Sequence, residues 1–325
     1  MKNIALIACS NGYGHTRRIL CISTAFREIG FNTVIFAEIE KVKKLCKIMG
    51  ICFPTTIDFN TQTDLKFQLD EKIPNWINKM KNLDHFDYVI SDNLLEILEL
   101  RKDALISGSF LWHKSLSDFP ENKKKYYHRL IQKYNPKIFS SSFFTSDYLK
   151  EYKNLYEVGL FTIGEKETRI KENILISSGK GGKVNHITKS FILEISKNPK
   201  PNSINKLYVE PNTYNKHMPK WIQPAKYSNK MYSSLSGAII RPGVGTITDC
   251  IINNVRMFCF YEESNFEMKS NSIRIQNSNL GYNSVEIKKA WEGALKWSQS
   301  KIGLNGFKNI DLNGSESIVK IILNS

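Results

Sequence analysis

The chain has 325 residues, 41% of them apolar and 11% aromatic, and a formal net charge of +15. That length suits two domains of about 150 residues, and that apolar content supplies real cores and excludes a disordered chain. No run approaches the roughly 18 apolar residues of a spanning helix, and the apolar stretch after Met1-Lys2 enters a Ser-Asn-Gly turn as a first strand would, so neither a membrane span nor a secretory signal is expected. The six cysteines (Cys9, Cys21, Cys46, Cys52, Cys250, Cys259) form no C-x-x-C pair, and several sit in apolar runs, as free thiols in a reducing cytosol do. Both halves are basic, the second more so, which favours polyanionic partners: nucleotide phosphates, an anionic acceptor, a membrane surface or nucleic acid. A Lys-, Asn- and Ile-rich coding bias would give the same charge.

Strand and helix signals alternate from the start. Residues 3–10 read as a strand buried on both faces, 16–29 as a helix with Ile19, Ile22, Ala25, Phe26 and Ile29 on one stripe, and 31–38 as the next strand. Helix 40–49, strand 51–56, helix 74–83, strand 86–92, helix 94–102, strand 104–110, helix 120–134, strand 137–144, a short helix near 146–152 and strand 155–161 follow. The charged, breaker-flanked stretch 164–173 reads as a linker between domains 1–163 and 174–325. The alternation then restarts with strand 174–178, helix 187–196, strand 206–210, a Pro-containing connection, a short helix near 228–234 and strand 237–240. Helix 246–253, strand 256–261 and helices 286–298 and 315–323 complete the chain. Such alternation predicts two doubly wound parallel-sheet domains, with a ligand cleft at the carboxyl ends of their strands.

Three glycine turns follow predicted strands. In Ile239-Ile240-Arg241-Pro242-Gly243-Val244-Gly245-Thr246-Ile247-Thr248-Asp249, Gly243 and Gly245 allow close backbone approach, Thr246 and Thr248 bring hydroxyls and Arg241 a fixed cation. A helix starting there faces a phosphate with its N–H groups, and Asp249 one turn later can reach a ribose. Gly179-Lys180-Gly181-Gly182-Lys183 combines bare backbone with two lysines, without Walker A spacing; an ordinary βα loop explains it equally well. Gly12-Tyr13-Gly14-His15 opens the first helix. The polar run 262–271 after strand 256–261 is either a wall of a sugar site or a solvated loop. Scattered histidines and the absence of any H-x-x-x-H or Cys/His cluster argue against a metal site.

The strand–Gly-x-Gly-Thr-x-x-acid turn, the run Asn265-x-Glu267 to Asn271 and the later Leu280-Gly281 resemble the C-terminal half of GT-B glycosyltransferases, most closely the MurG-like, family 28-type group. Gly12-Tyr13-Gly14-His15-x-x-Arg18 is similar to that group's N-terminal glycine loop and also to nucleotide-sugar hydrolases of pseudaminic acid synthesis. The resemblance extends over both domains in layout and over some 40 residues in motif. It implies two Rossmann-like domains facing across a cleft, the first binding acceptor and the second a nucleotide-sugar donor, UDP-linked by family habit. Transfer would be inverting and would need neither metal nor cofactor, the nucleotide-sugar being a substrate.

Carried over by position, Asp249 would hold the ribose, Gly243, Gly245 and Thr246 the diphosphate, and Glu267 and Asn271 would lie near the sugar; Gly179, Gly181, Gly182, Arg241 and Thr248 complete the donor site. Glu267-Met268 replaces the paired glutamines of the group, which puts an N-acetylglucosamine donor in doubt, and Arg241 stands where many relatives have histidine. In this architecture His15 faces the cleft and could take the proton of an acceptor hydroxyl, or only cap the helix or touch acceptor phosphate. Gly12, Gly14, Arg18, Asp92 and His113 are the acceptor-side candidates, an anionic acceptor being favoured by cations at a helix start. Asp92 could orient His15 or the acceptor, or N-cap helix 94–102. His113 could line the acceptor pocket or simply pack beside Trp112. The basic stretch 123–131, with interleaved aromatics, could rest on anionic lipid as a peripheral contact at the inner membrane face, or be a solvated helix face. Glycan transfer in surface-polysaccharide or lipid-linked glycan assembly, hydrolysis of the nucleotide-sugar, and non-catalytic polyanion binding are the three readings, and no nucleic-acid motif supports the last.

Overall fold

The structure is a computed structural model and describes residues 1–63, 69–72, 74–80, 82–116, 118–163, 169–179, 182–262, 265–300 and 306–324. The chain divides into two compact units, Met1–Ile163 with Ile310–Ser325, and Gly164–Asn309.

The first unit holds a seven-stranded sheet in the order β3-β2-β1-β4-β5-β6-β7, every pairing parallel. Its strands are β1 Asn3–Ala8, β2 Asn32–Ala37, β3 Thr56–Asp58, β4 Tyr88–Asp92, β5 Leu105–Ser107, β6 Ile138–Ser141 and β7 Leu155–Val158. Side chains of a strand alternate between faces, so Ile4, Leu6 and Ala8 join one core cluster while Ala5 and Ile7, with Cys9 beyond the strand, join the other. Helices α1 Gly14–Glu28 and α2 Ile39–Met49 cover the first of these faces through Ile19, Ile22, Phe26, Val42 and Leu45. The other face is covered by α3 Ile97–Leu100, α4 Trp112–Ser115 and α5 Glu121–Tyr134, whose Tyr126, Tyr127, Leu130 and Ile131 point inward. Strand order reverses between β1 and β4, which makes their carboxyl ends the switch point of the sheet.

The second unit has six parallel strands in the order β10-β9-β8-β11-β12-β13: β8 Asn173–Ser177, β9 Lys206–Val209, β10 Ile222–Pro224, β11 Leu235–Ile240, β12 Arg256–Phe260 and β13 Gly281–Ser284. The central β8, β11 and β12 are buried along their whole length, which explains their apolar runs at 174–176, 238–240 and 257–260. Helices α6 Gly182–Ile195 and α10 Ile287–Ser300 pack on one face through Val184, Phe191, Ile192, Ile287, Ala290 and Ala294. Helices α7 Asn229–Ser233, α8 Val244–Ile252 and α9 Phe266–Asn277 also belong to this unit. The switch point here lies between β8 and β11.

Three sequence expectations are corrected. Residues 310–325, assigned to the second domain, belong to the first unit, where helix α11 Gly314–Leu323 sets Ile318, Val319 and Ile322 among the α1 residues. Burying each of those side chains is worth about 1.5–3 kcal/mol. The approach is close: a Cβ on Gly314 would stand 2.3 Å from Gly159 O, while Leu160 N donates to Asp311 O and Gly314 N to Leu160 O. The run 262–271 is not a loop throughout, because α9 begins at Phe266, capped by Asn265. The strand expected at 51–56 forms instead over Thr56–Asp58. Among the described residues, no helix is long and apolar enough to cross a membrane.

Candidate functional site

At the first switch point, β1 leads through Gly12, whose φ of +72° needs a residue without a side-chain clash, into α1. Gly14 starts the helix, Tyr13 gives it no side-chain cap, and its first turn has no acid. A Cβ on Gly12 or on Gly14 would meet nothing within 4 Å, so the backbone borders open space. His15 follows, and its Nδ1 lies 2.8 Å from Oδ1 of Asp92, the last residue of β4, which is fully buried. A carboxylate accepts from the Nδ1–H, leaving the lone pair on Nε2. The ring of Trp112 stands 6.2 Å from the imidazole. Asp92 therefore orients His15 and does not cap a helix, and α3 starts only at Ile97, with no side-chain cap from Glu96.

Arg18 is expected on the acceptor, but the structure turns it to Asp92. Its Nε is 3.5 Å from Oδ2, and its guanidinium lies 5.7 Å from the Phe161 ring centre. His113 stacks on Tyr127 at 5.6 Å, and burial pushes its imidazole down to about 3, so it is neutral. The Tyr127 hydroxyl donates to Glu96, whose carboxyl burial raises to about 7. His113 thus belongs to a buried aromatic and acidic cluster, the packed alternative for this residue, and Glu96 is a buried acid that no sequence motif marks.

At the second switch point two helices start side by side in the topology, with different N-terminal chemistry. The α6 end is supplied with anions by the chain itself: Gly179 N donates to Glu210 Oε1 at 2.6 Å and Val184 N to Glu262 Oε1 at 3.1 Å. Glu210, at the carboxyl end of β9, is buried and also accepts from Ser177 Oγ, while Asn185 Nδ2 donates to Gly179 O. The Gly179 N–H expected on donor phosphate is thus already bonded to a carboxylate. Gly182 opens α6, and Gly181 lies outside the described residues.

The α8 end is the opposite. Gly243 is its N-cap without a side-chain bond, no acid lies in its first turn, and half-buried Gly245 and Thr246 form that turn. Arg241 precedes it, its side chain 3.9 Å from where a Gly179 Cβ would stand. A helix N-terminus beside a fixed cation attracts an anion. Asp249 is half-buried one turn further on. Thr248, expected on the donor, is buried with its hydroxyl donating to Val244 O, so the helix uses it internally. Asn271 is also internal: its Nδ2 donates to Pro242 O at 2.9 Å and ties α9 to the turn before α8. Glu267 is half-buried in the first turn of α9.

Among the described residues, no group of three or more His, Cys, Asp or Glu side chains is placed to hold a metal ion. Glu210 escapes sequence reading because an isolated glutamate after a strand carries no local signal, and Glu262, the first residue of the polar run 262–271, bonds the Val184 N–H 78 residues away, a partner that only the fold reveals.

No family model and no curated protein matches the sequence. Solved structures do match in fold over the whole chain. A glycotransferase of kitacinnamycin superposes with a TM-score of 0.69 at 10% identity, covering 99% of this chain and 98% of its own. The glycosyltransferase SnogD from Streptomyces nogalater gives 0.60 at 10% identity, and MurG of Acinetobacter baumannii 0.60 at 13%, each with both chains fully covered. The fold is that of the GT-B glycosyltransferases.

Proposed function

We propose that the chain is a glycosyltransferase that moves a sugar from a nucleotide-sugar to an acceptor hydroxyl. The observation that carries this reading is the buried His15–Asp92 pair at the switch point of the first sheet. Nε2 of His15 takes the acceptor proton as the oxygen bonds to the anomeric carbon and the carbon–phosphate oxygen bond breaks. Asp92 steadies the imidazolium that forms. Attack from the face opposite the leaving group inverts the anomeric centre.

The leaving phosphate charge falls to the α8 N-terminus and Arg241, which supply positive potential without a metal. Asp249 is the candidate for the ribose hydroxyls and Glu267 for the sugar. Uridine diphosphate sugars are the first donors to test, by the resemblance of the turn. The outward stripe Lys125, Arg129 and Lys133 of α5 supports an electrostatic contact with anionic lipid, suited to a lipid-linked or surface-glycan acceptor. Tyr126 and Tyr127 face inward, so this contact would involve no insertion.

Calorimetric titration with UDP, GDP, dTDP and CMP, followed by turnover of the matching sugar donor with and without acceptor glycans, tests the reading. Selective binding of one nucleotide, lost in Asp249→Ala, with transfer lost in His15→Ala, is the expected result. Failure of a folded sample to bind any of the four would sink it. Sugar release that no acceptor accelerates would favour hydrolysis, which the Gly12–Arg18 string fits equally well.

A further inference from the structure

We propose that Arg18 is a positioning residue that sets the charge balance of the His15–Asp92 pair and does not contact the acceptor. His15 and Arg18 are three residues apart on α1 and so share a face, from which both reach Asp92. They take different oxygens: His15 Nδ1 meets Oδ1 at 2.8 Å, and Arg18 Nε meets Oδ2 at 3.5 Å. Oδ2 has no hydrogen-bond partner, so the second contact is an ion pair without a hydrogen bond. Arg18 is itself only 7% exposed and sits over Phe161, which leaves its guanidinium little access to a ligand.

The two contacts act on the imidazole in opposite senses. The carboxylate draws a proton onto the ring, and a guanidinium one residue-width behind that carboxylate repels it. Cys9 lies within electrostatic range of both Asp92 and Glu96, and the half-buried Arg17 adjoins Arg18 along α1. A thiol and a carboxyl are neutral or negative in every protonation state, so neither Cys9 nor Glu96 can replace the Arg18 guanidinium.

This rests on His15 as the base of the proposed reaction, but its test does not need turnover. The His15 imidazole is titrated by NMR in the parent, Arg18→Gln, Arg18→Lys, Asp92→Asn and the double variant Asp92→Asn/Arg18→Gln. Loss of the guanidinium should raise the titration midpoint, and Arg18→Lys should restore it. With donor and acceptor present, the acid limb of kcat/KM should move up by the same interval, while the acceptor KM stays within about twofold. An unmoved midpoint, or a raised acceptor KM with unchanged kcat, overturns the proposal. Should Arg18→Gln fail to fold, the double variant leaves neither member of the ion pair charged. A midpoint above that of Asp92→Asn alone then supports the assignment, and an equal one overturns it.

Discussion

His15 and Asp92 are 77 residues apart in sequence, yet Nδ1 and Oδ1 stand 2.8 Å apart, because β1 and β4 are neighbours at the point where the strand order reverses. The register pairs Ala8 with Asp92, so the last rung of that ladder delivers the carboxylate beside the first turn of α1. A parallel pairing thus does for this dyad what no local motif could. Replacing Asp92 by Asn keeps the shape but offers an amide that can itself donate, which permits the opposite ring tautomer with the proton on Nε2. Asp92→Asn and His15→Ala should each lower kcat roughly 10²-fold or more, with nucleotide affinity unchanged by calorimetry.

The two helix starts of the second unit make a paired prediction. At α6 the N–H groups of Gly179 and Val184 already face Glu210 and Glu262, whereas Arg241 precedes α8, whose own first turn carries no acidic residue. Arg241→Gln should weaken nucleotide binding about tenfold, the value of one charge-assisted hydrogen bond, and flatten its salt dependence. Lys183→Gln, at an exposed position in α6, should change it less than about twofold. The reverse ranking would move the phosphate site to the glycine loop.

The central strands were readable because β8, β11 and β12 are buried on both faces and so carry apolar runs at 174–176, 238–240 and 257–260. The turns at Gly12–Gly14 and Gly243–Gly245 were readable because paired glycines straight after an apolar run mark a strand-to-helix turn, and Gly12 takes a φ of +72°. Helix α9 was not: its buried face is Met268, Asn271, Ser272 and Ile275, half of it polar, so no apolar stripe marks it. The edge strands β10 and β13 are short and half-exposed, and β10 ends on Pro224. The apolar face of α11 is plain in the sequence, but which sheet it covers depends on contacts with α1, some 290 residues earlier. The same limit applies to function: Arg18 and Asp92 could be nominated singly, while their ion pair could not.

Asn271 links one of these unreadable elements to the donor turn. Its Nδ2 donates to Pro242 O from a buried position, so removing it leaves a carbonyl without that partner immediately before α8. Asn271→Ala should cost about 1–2 kcal/mol in urea unfolding. Asn271→Asp should cost more, since a carboxylate would face the carbonyl oxygen. Donor KM should rise in both variants while acceptor KM is unchanged, because the disturbed turn carries Arg241 and Gly243.

The buried Glu96 and His113, joined through Tyr127, predict opposite pH limits on stability. The folded-state pKa of Glu96 is raised from 4.5 to about 7 by burial, so its contribution is intact below pH 4.5 and is lost as pH rises through 7. His113 is depressed from 6.5 to about 3, again by burial first, so its contribution is intact above pH 6.5 and is lost as pH falls through 3. Glu96→Gln keeps an oxygen to accept from Tyr127 but cannot ionise; its stability should therefore gain on the parent between pH 5 and pH 8, by up to about 3 kcal/mol. His113→Phe keeps the stack on Tyr127 without a protonation site, and should gain on the parent as pH falls from 6.5 to 4. Denaturant unfolding at pH 4, 6.5 and 8 distinguishes the two. If Glu96→Gln ran parallel to the parent across pH 5–8, the carboxyl would have to be ionised at little cost, and the raised pKa of Glu96 would have to be abandoned.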